Sequence, residues 1–489
     1  MNPHAALALF AIGIAGLFYL DREPGAKITK ALWLPTAWLL LAGSRPFSAW
    51  LEGGGPTRMA GAQYQRQITE GNPMDAAVLG FLIVLALLVL LRRRRQIAAV
   101  LRWMWPVVAY FGYCFLSIAW SNIPDVAGKR WFKSLGDLAM VLIIATEPDI
   151  AAALRRLFSR LGVWLLPMSY MTIKYFPAIG RAFDVDGDPS NVGLTTNKNL
   201  LGDVAFLLTI AALWQVISLV GASDRGKRRR LTAQIAVLAF GVVILYMAHS
   251  ATSVASALFA GALLVALSLP AFRKPAAVHA LVAVIVLAGL TAFALGAEHT
   301  VTHELGRKSN LTGRTYIWAA VLAQAAEHPI LGVGFESFWT GPNDAKILRR
   351  LPTGMIANES HDGYIEVYAE LGLAGLALMS WLLITAYRRA VAAFASDWRI
   401  GRILLAYVAA MAIYNISEAG FRMLDPPWIF LLLSFACAAG ILARPPLPHG
   451  AGPEDAALNP EPAWAHALSA GPARPGLVRP QSWNPRGAV

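Results

Sequence analysis

Long apolar runs occupy most of this chain and limit the secondary structure that it can form. The hydrocarbon core of a membrane offers no hydrogen-bond partners, so a crossing segment must satisfy its own backbone, and about 20 apolar residues do so as a helix. The sequence therefore predicts an all-α polytopic membrane protein with about 12–13 transmembrane helices. The apolar runs are residues 5–20, 31–50, 76–91, 103–121, 133–147, 158–176, 200–220, 231–249, 251–270, 277–296, 363–387, 402–418 and 427–443.

The composition supports the same class. Hydrophobic residues make up 57% of the 489 residues and charged residues 15%, whereas soluble domains carry about 25% charged residues. This balance excludes disordered and collagen-like chains and most soluble enzymes. The two cysteines, Cys114 and Cys437, lie in separate apolar runs, so we expect neither a disulfide framework nor a cysteine metal site.

The net charge of +13 would suggest nucleic-acid binding in a soluble chain. Here the cations recur after every second apolar run, as expected for cytoplasmic loops. We therefore predict a membrane-lipid environment and no nucleic-acid partner. The basic clusters are Arg92–Arg95 with Arg102; Arg155, Arg156 and Arg160; Arg225–Arg230; Arg273 and Lys274; and Arg388, Arg389 and Arg399.

The first apolar run decides the number of spans. If it crosses the membrane, the N-terminus is external and the C-terminus cytoplasmic; if it does not, 12 spans remain and both termini are cytoplasmic. Residues 1–4 contain no Lys or Arg, so the run lacks the charged start of a signal peptide, and we expect it to be a retained span.

Loop lengths, together with a change of composition after Ala443, predict four segments. Residues 1–296 hold the first ten helices, residues 297–362 form a large external loop, residues 363–443 hold the last helices, and residues 444–489 form a proline-rich, disordered cytoplasmic tail.

The large external loop contains a predicted helix from Thr312 to Glu327. Trp318, Val321, Leu322 and Ala325 follow a helical spacing there. His328-Pro329 and two nearby glycines end it. We expect a subdomain of short helices.

A histidine stands where the large loop enters the eleventh apolar run. His361 can take and return a proton near neutral pH, which makes it a candidate general base. Asp362, Glu366 and Glu370 follow at intervals of four and form one acidic stripe on a helix. The structural alternative is that Ser360 or Asp362 caps the helix and His361 lies at a wet interface.

Arg314 begins the predicted loop helix. A cation is disfavoured at a helix N-terminus, because the helix dipole is already positive there. Its position is explained if an anion such as a diphosphate binds between the guanidinium and the free backbone N–H groups. The alternative is an arginine turned away to solvent.

Three further cations, Lys174, Arg181 and Lys198, lie on the predicted external side. Cations are unexpected there unless they bind an acidic ligand. Lys198 is flanked by Asn197 and Asn199 and begins a predicted helix, which is a position suited to phosphate.

The same loop contains Asp184, Asp186 and Asp188. Asp-x-Asp can hold a divalent cation, but a calcium loop needs glycine and glutamate where this chain has Pro189 and Thr195. We therefore favour a solvated acidic turn and expect no metal site.

Glu418 and Arg422 lie at the outer end of the twelfth run. Their spacing fits an ion pair along a helix. The functional alternative is a role in positioning an acceptor or another arginine.

The order of these and several shorter motifs resembles the O-antigen ligase superfamily of bacteria, and the Lys174–Gly202 region is most similar to its exopolysaccharide-production branch. The resemblance covers about residues 65–440 and depends on motif order, with a long outer loop ending in the histidine motif. The motifs are residues 70–75, Trp120-Ser121 with Pro124, Pro177 with Gly180-Arg181, Asn197-Lys198-Asn199 with Gly202, Gly313-Arg314 with Trp318, residues 329–334, residues 361–364 with Glu370-Leu371-Gly372, and Ser417-Glu418.

The resemblance implies a C-type, multi-pass glycosyltransferase of the bacterial inner (cytoplasmic) membrane, with its large loop and active site facing the periplasm. Such an enzyme moves a glycan, with inversion and without metal or cofactor, from undecaprenyl diphosphate to a hydroxyl of a glycan or lipid acceptor. By position, His361 matches the general base and Arg314 an arginine that holds the donor diphosphate. Arg181 and Lys198 match basic positions that share this task. Supporting roles fall to Lys174, Asn197, Asn199, Tyr364, Glu366, Glu418 and Arg422.

The chain departs from the family pattern at one external turn. Many ligases carry a Ser-Arg pair where this chain has His249 to Ser253, without arginine. Either Arg181 or Lys198 replaces that charge, or the chemistry differs from that of the ligases. Asp362 also follows the histidine where asparagine is common.

Several functions stay open at this point. Ligation of a finished chain and polymerisation of repeat units fit the same residues. A lipid-linked oligosaccharide flippase or other transporter fits the span count, but it should place charges at mid-membrane and show inverted repeats. Here the charges cluster on the external side, and a purely structural scaffold would not need them.

Overall fold

The computed structural model describes residues 2–51, 53, 71–183, 189–221, 226–294, 311–340, 342–352, 355 and 357–444. The predicted acidic turn at Asp184, Asp186 and Asp188 lies outside these residues. So do Glu70, Arg225 and the predicted disordered tail beyond residue 444.

Helices form nearly all of the regular structure in the described residues. The exception is a pair of short antiparallel strands, β1 (Arg181–Phe183) and β2 (Pro189–Asn191). The helices are α1 Pro3–Leu20, α2 Trp33–Ala42, α3 Phe47–Leu51, α4 Pro73–Arg92, α5 Arg94–Trp103, α6 Trp105–Ser117, α7 Pro124–Ala145, α8 Ile150–Tyr175, α9 Pro177–Gly180, α10 Lys198–Val220, α11 Lys227–Ala248, α12 Ala251–Ala266, α13 Pro275–Ala294, α14 Leu311–Ala325, α15 Pro342–Arg350, α16 Gly363–Ser396, α17 Trp398–Tyr414 and α18 Pro426–Leu442.

Local capping chemistry explains several helix starts. Side-chain oxygens of Asn72, Asp149 and Asn197 accept backbone N–H groups in the first turns of α4, α8 and α10. These interactions satisfy donors that have no partner within the helix. Pro73 follows Asn72, where a proline is favoured because its missing N–H is not needed.

The helices confirm the predicted all-α polytopic membrane class. Among the described residues, five helices are long and apolar enough to cross a membrane, and a sixth span results if α5 and the bent segment Trp105–Trp120 are counted together. Shorter apolar helices such as α12 and α18 also coincide with predicted runs. The total of 12–13 spans stays a prediction. The five helices are Pro3–Leu20, Pro73–Arg92, Lys198–Val220, Lys227–Ala248 and Gly363–Ser396.

Helix α18 lies at the centre of the main core. Trp428, Phe430 and Phe435 of this helix are almost completely buried, as expected for a helix that is apolar all round. It packs against α7, α16 and α17. The segment that joins α17 to α18, residues 415–425, is therefore held at both ends by buried helices.

A second, smaller core lies under α14 and α15. Ile317, Val321, Phe338 and Ile347 are buried there and pack together with Ala369 of α16. Residues from the large loop thus pack directly onto the start of α16.

Helix α14 covers Leu311–Ala325, slightly short of the predicted end at Glu327. Its buried face also differs from the predicted one. Val321 and Ala325 are buried as predicted, but Leu322 is 43% exposed and Ile317, which was not predicted, is buried. The apolar stripe is therefore rotated by about one residue relative to the predicted face.

Helix α16 bends at Gly372, which has φ 65° and ψ −166°. This backbone conformation is essentially restricted to glycine. The loop of residues 329–334 fits against the bend: the N–H groups of Leu373 and Ala374 donate to the carbonyls of Pro329 and Ile330, at 2.9 and 3.1 Å. The glycine thereby lets two distant motifs of the chain pair through their backbones.

We expect Gly372→Ala to destabilise the protein strongly. A Cβ atom at this position would lie 2.3 Å from the carbonyl of Ile330, and the left-handed backbone adds about 1–3 kcal/mol of strain. The measurement is thermal unfolding of the purified protein in detergent. Gly80→Ala, within α4, is the matched control: a Cβ atom there would meet no atom of a neighbouring element within 4 Å, so the unfolding temperature should not fall. Equal stability of the two variants would contradict the proposed close approach.

Candidate functional site

His361 is positioned by the way α16 begins. The residue has a left-handed backbone with φ 53°, which is uncommon for a non-glycine residue and recurs at functional sites. Asp362 then caps α16 by accepting the N–H groups of Tyr364 and Ile365, both at 2.9 Å. The structural alternative for Asp362, a helix cap, is thus confirmed.

The first residue of α16 docks on the segment that precedes α18. The N–H of Gly363 donates to the carbonyl oxygens of Asn415, at 2.8 Å, and Glu418, at 3.1 Å. A Cβ atom on Gly363 would lie 2.1 Å from Asn415 Oδ1, so only glycine permits this approach. The docking places His361 directly beside Glu418.

The Glu418 carboxylate joins His361 to Arg314. Its Oε2 lies 3.2 Å from His361 Nδ1, and its Oε1 accepts a hydrogen bond from Arg314 Nη2 at 2.8 Å. Arg314 Nη1 also donates to the backbone carbonyl of Ser417 at 2.5 Å. The Glu418 side chain is only 6% exposed, and a buried carboxylate is stable only when it is paired in this way.

A second carboxylate approaches the same imidazole nitrogen. Glu359 Oε1 lies 3.1 Å from His361 Nδ1, and Glu359 Oε2 lies 2.8 Å from Arg422 Nη1. Charges of alternating sign therefore run from Arg314 through Glu418, His361 and Glu359 to Arg422, and we call these five residues the His361 cluster. Because both carboxylates face Nδ1, the proton of the neutral imidazole belongs on Nδ1, and Nε2 is the basic atom.

The cluster raises the pKa of His361. Burial alone would lower it, but the hydrogen bond to Glu418 and the charge of Glu359 outweigh burial and favour the imidazolium. The pKa of Arg422 is also raised: burial opposes this, but several carboxylates, with Glu336 and Glu366 the strongest, dominate. His361 is thus a stronger base than an ordinary histidine.

The structure overturns two of the alternatives that the sequence left open. Glu418 and Arg422 do not pair with each other, because they lie in a turn, and each binds a partner from another segment. Arg314 is not turned to solvent, since its side chain is 16% exposed and pairs with Glu418. The nearest described anion at this arginine is a carboxylate of the protein.

Two of the predicted supporting residues anchor the backbone around the cluster. Glu366 is buried and accepts hydrogen bonds from Trp339 Nε1, at 2.6 Å, and from the N–H of Ser360, at 3.0 Å. The hydroxyl of Tyr364 donates to the carbonyl of Ala412 at 2.7 Å and ties α16 to α17. Glu370 is buried as well, so the predicted acidic stripe faces the interior of the protein.

Lys198 lies on a helix that is connected to the cluster indirectly, through residues 250–253 at the first turn of α12. It is the first residue of α10, whose cap is Asn197, and Asn199 follows half-buried. Gly202, one turn later, packs against Ser250 and Ser253 of that turn. The hydroxyls of Thr252 and Ser417 are 3.2 Å apart, which links the turn to the residue beside Glu418.

Lys174 and Arg181 contact residues outside the His361 cluster. Lys174 Nζ is 3.3 Å from the hydroxyl of Tyr170, and Arg181 Nε donates to the carbonyl of Ile173 at 3.3 Å. Among the described residues, no hydrogen bond or ion pair connects either cation to the His361 cluster. Their assignment to a diphosphate stays a prediction.

Two charged residues of this region were given no role by the sequence analysis. Glu359 stands only two residues before the histidine. Arg45 is 4% exposed, although it was hidden in an apolar run; it donates to the carbonyls of Thr195 and Ile179 and so holds the loop before α10. A cation within a predicted apolar run was the available signal.

Three side chains of the cluster also have metal-binding chemistry. The donor atoms of Glu359, His361 and Glu418 all lie within 4.8 Å of one another, and such a set suits a divalent transition metal. However, Arg314 and Arg422 already pair with the two carboxylates. These guanidinium groups disfavour a second cation at the same oxygens.

Comparison with known proteins agrees with the geometry. The family model of the O-antigen ligases matches residues 236–380 of this multi-pass membrane protein, and this range includes Arg314 and His361. The chain is also 28% identical over 308 residues to the exopolysaccharide production protein ExoQ of Rhizobium meliloti (strain 1021), covering 61% of this chain and 68% of that protein. The predicted resemblance to the O-antigen ligase superfamily is thus confirmed.

We expect His361 to titrate above the ordinary histidine value of about 6.5, because Glu418 and Glu359 stabilise its protonated form. Only the neutral imidazole reacts with diethyl pyrocarbonate, so the modification rate should rise through this pKa. The rate can be followed by mass spectrometry of the peptide that contains His361.

Glu418→Gln should move the midpoint to lower pH, because it removes one negative charge from the imidazole. Glu327→Gln is the matched control, since Glu327 pairs with Lys346 and Arg350 instead. An unchanged midpoint in Glu418→Gln would refute the role of this carboxylate.

Proposed function

We propose that the protein is a glycosyltransferase that moves a glycan from undecaprenyl diphosphate to an acceptor hydroxyl at the periplasmic face of the inner membrane. The observation that carries the proposal is the contact of His361 with Glu418, and of Glu418 with Arg314. Through one buried carboxylate, these contacts join the candidate base His361 to Arg314, the candidate binding residue for the donor diphosphate. The matched family model and the multi-pass fold support the same assignment.

In this mechanism His361 acts as the general base. Nδ1 is held by two carboxylates, so Nε2 takes the proton of the acceptor hydroxyl. The acceptor oxygen then forms a bond to the anomeric carbon, the bond from that carbon to the diphosphate oxygen breaks, and the configuration inverts. The products are the new glycoside and undecaprenyl diphosphate, and the proton leaves His361 for water.

Arg314 would stabilise the departing diphosphate. Its contacts with Ser417 and Glu418 use two of the five N–H donors of a guanidinium. These contacts fix the plane of the group, and a fixed cation stabilises developing negative charge without reorganising. Lys198, at the N-terminus of α10, would add a second cation, and Arg181 a third.

A second candidate function uses the same site. The relative in Rhizobium meliloti is described as an exopolysaccharide production protein, which favours polymerisation of lipid-linked repeat units. In that case the acceptor hydroxyl belongs to a second lipid-linked glycan. Ligation to a lipid acceptor and polymerisation differ only in the acceptor.

We expect His361→Ala to lower glycan transfer by about 10²- to 10⁴-fold, the usual contribution of a general base. The test is complementation of a deletion strain, read out as surface glycan and as accumulated lipid-linked intermediates. Single accumulated units indicate a polymerase, and long accumulated chains a ligase. Membrane levels of the variant should equal those of the wild type.

His328→Ala is the control for loss of an imidazole in the same loop, and it should complement normally, because His328 lies outside the His361 cluster. Full complementation by His361→Ala would exclude the base. Unchanged glycans in the deletion strain, with altered solute uptake, would favour a transporter.

Transfer should persist in excess EDTA, because the carboxylates of the cluster are paired with arginines. The assay uses the purified protein in lipid nanodiscs with a synthetic lipid-linked oligosaccharide. Glu359→Gln removes one of the three possible metal ligands. It should keep most of its activity, since glutamine can still accept a hydrogen bond from Arg422. Loss of activity in EDTA, restored by Mn²⁺ or Mg²⁺, would contradict metal independence.

A further inference from the structure

A cavity of about 330 Å³ lies between α1, α2 and α8, lined in part by Arg22, Arg156 and Arg160 and by the ring of Trp33. It belongs to the face predicted to be cytoplasmic, because Arg156 and Arg160 form part of one of the basic clusters that follow the apolar runs. The proposed transfer does not use any of its residues. We propose that this cavity binds the phosphate of an anionic phospholipid.

Two of the arginines face the cavity without an ion-pair contact to a carboxylate, and Asp21 acts on Arg156 only at longer range. Among the described residues, no Asp or Glu oxygen lies within ion-pair distance of Arg156 or Arg160. The nearby Glu23 is taken by two other arginines, Arg155 at 3.2 Å and Arg230 at 3.1 Å. Arg156 itself reaches only the backbone carbonyl of Glu23, at 3.3 Å.

The one acidic side chain of the cavity is also committed elsewhere. Asp21 Oδ1 accepts a hydrogen bond from Gln234 Nε2 at 2.8 Å, and the same amide donates to Ser159 Oγ at 2.8 Å. Three arginines and one aspartate leave a net positive charge at the cavity. A partly buried positive site of this kind attracts an anion.

The geometry of Arg160 favours phosphate in particular. Its guanidinium carbon lies 3.7 Å above the centre of the Trp33 ring, and Nη1 donates to Thr36 Oγ1 at 3.3 Å. Stacking on the indole holds the guanidinium plane in place. A fixed guanidinium fork can bind two phosphate oxygens at once.

The surroundings of the cavity favour a lipid over a free phosphate ion. Helix α1 leads to the cavity and exposes large apolar side chains, among them Leu9 and Ile12. Tyr19 and Trp33, at the cavity, are more than half exposed, as is usual for aromatic residues at the membrane interface. An acyl chain along α1 and a phosphate at Arg160 would use both features, and basic pockets between helices bind lipid head groups in this way.

The test is native mass spectrometry of the full-length protein in detergent, titrated with phosphatidylglycerol or with phosphatidylcholine. The wild type should bind phosphatidylglycerol more tightly than phosphatidylcholine. Arg160→Gln should weaken phosphatidylglycerol binding about tenfold, as expected for the loss of a charge-assisted hydrogen bond. Arg160→Lys should lie between the two, because it keeps the charge and loses the fork.

Arg273→Gln is the matched control, since Arg273 also stacks on an indole, that of Trp398 at 4.9 Å, on the same predicted face but away from this cavity. It should bind phosphatidylglycerol like the wild type. If Arg160→Gln does not fold, Arg156→Gln and Arg160→Lys carry the same comparison.

Three outcomes would overturn the proposal. They are equal binding of the two lipids, equal loss in Arg160→Gln and Arg273→Gln, and displacement of phosphatidylglycerol by millimolar inorganic phosphate, which would show a free-anion site. The readout is binding, so it does not depend on the proposed glycosyl transfer.

Discussion

The candidate site depends on one buried carboxylate. Glu418 accepts Arg314 on one oxygen and contacts His361 with the other, while its backbone carbonyl receives the N–H of Gly363. One residue thereby joins the large loop, the start of α16 and the segment before α18. A buried, unpaired charge is costly, so the pairing and the docking of these three segments stabilise each other.

Several of the sequence motifs hold this arrangement in place and do not themselves take part in the proposed reaction. Residues 329–334 pair with the bend at Gly372, and Trp318 donates to the carbonyl of Ser360 at 2.9 Å, next to the histidine. Gly363 gives α16 its close approach to Asn415. The family pattern, read along the chain, therefore describes a set of contacts that hold His361 and Arg314 near each other.

Periodicity and residue chemistry predicted the class of fold, most helices, the Asp362 cap and the importance of His361 and Arg314 as positions to examine. They did not predict which charged side chains form ion pairs with each other. Glu418 appeared to pair with Arg422 because a spacing of four suits a helix, but the chain forms a turn there. Arg314 and Glu418 are 104 residues apart, and no local pattern reports such a contact.

The sequence by itself determined that this chain forms apolar helices for a membrane and which charged residues stand between the apolar runs, since hydropathy acts over a few neighbouring residues. It did not determine where every helix begins: the runs that start at residues 133 and 158 belong to helices that begin at Pro124 and Ile150. Only the tertiary structure decided that Glu359 and Glu418 both face one nitrogen of His361, and that Arg156 and Arg160 face a cavity with no carboxylate within ion-pair distance among the described residues. Ion pairing acts through space, and the packing of helices distant in sequence sets which charges meet.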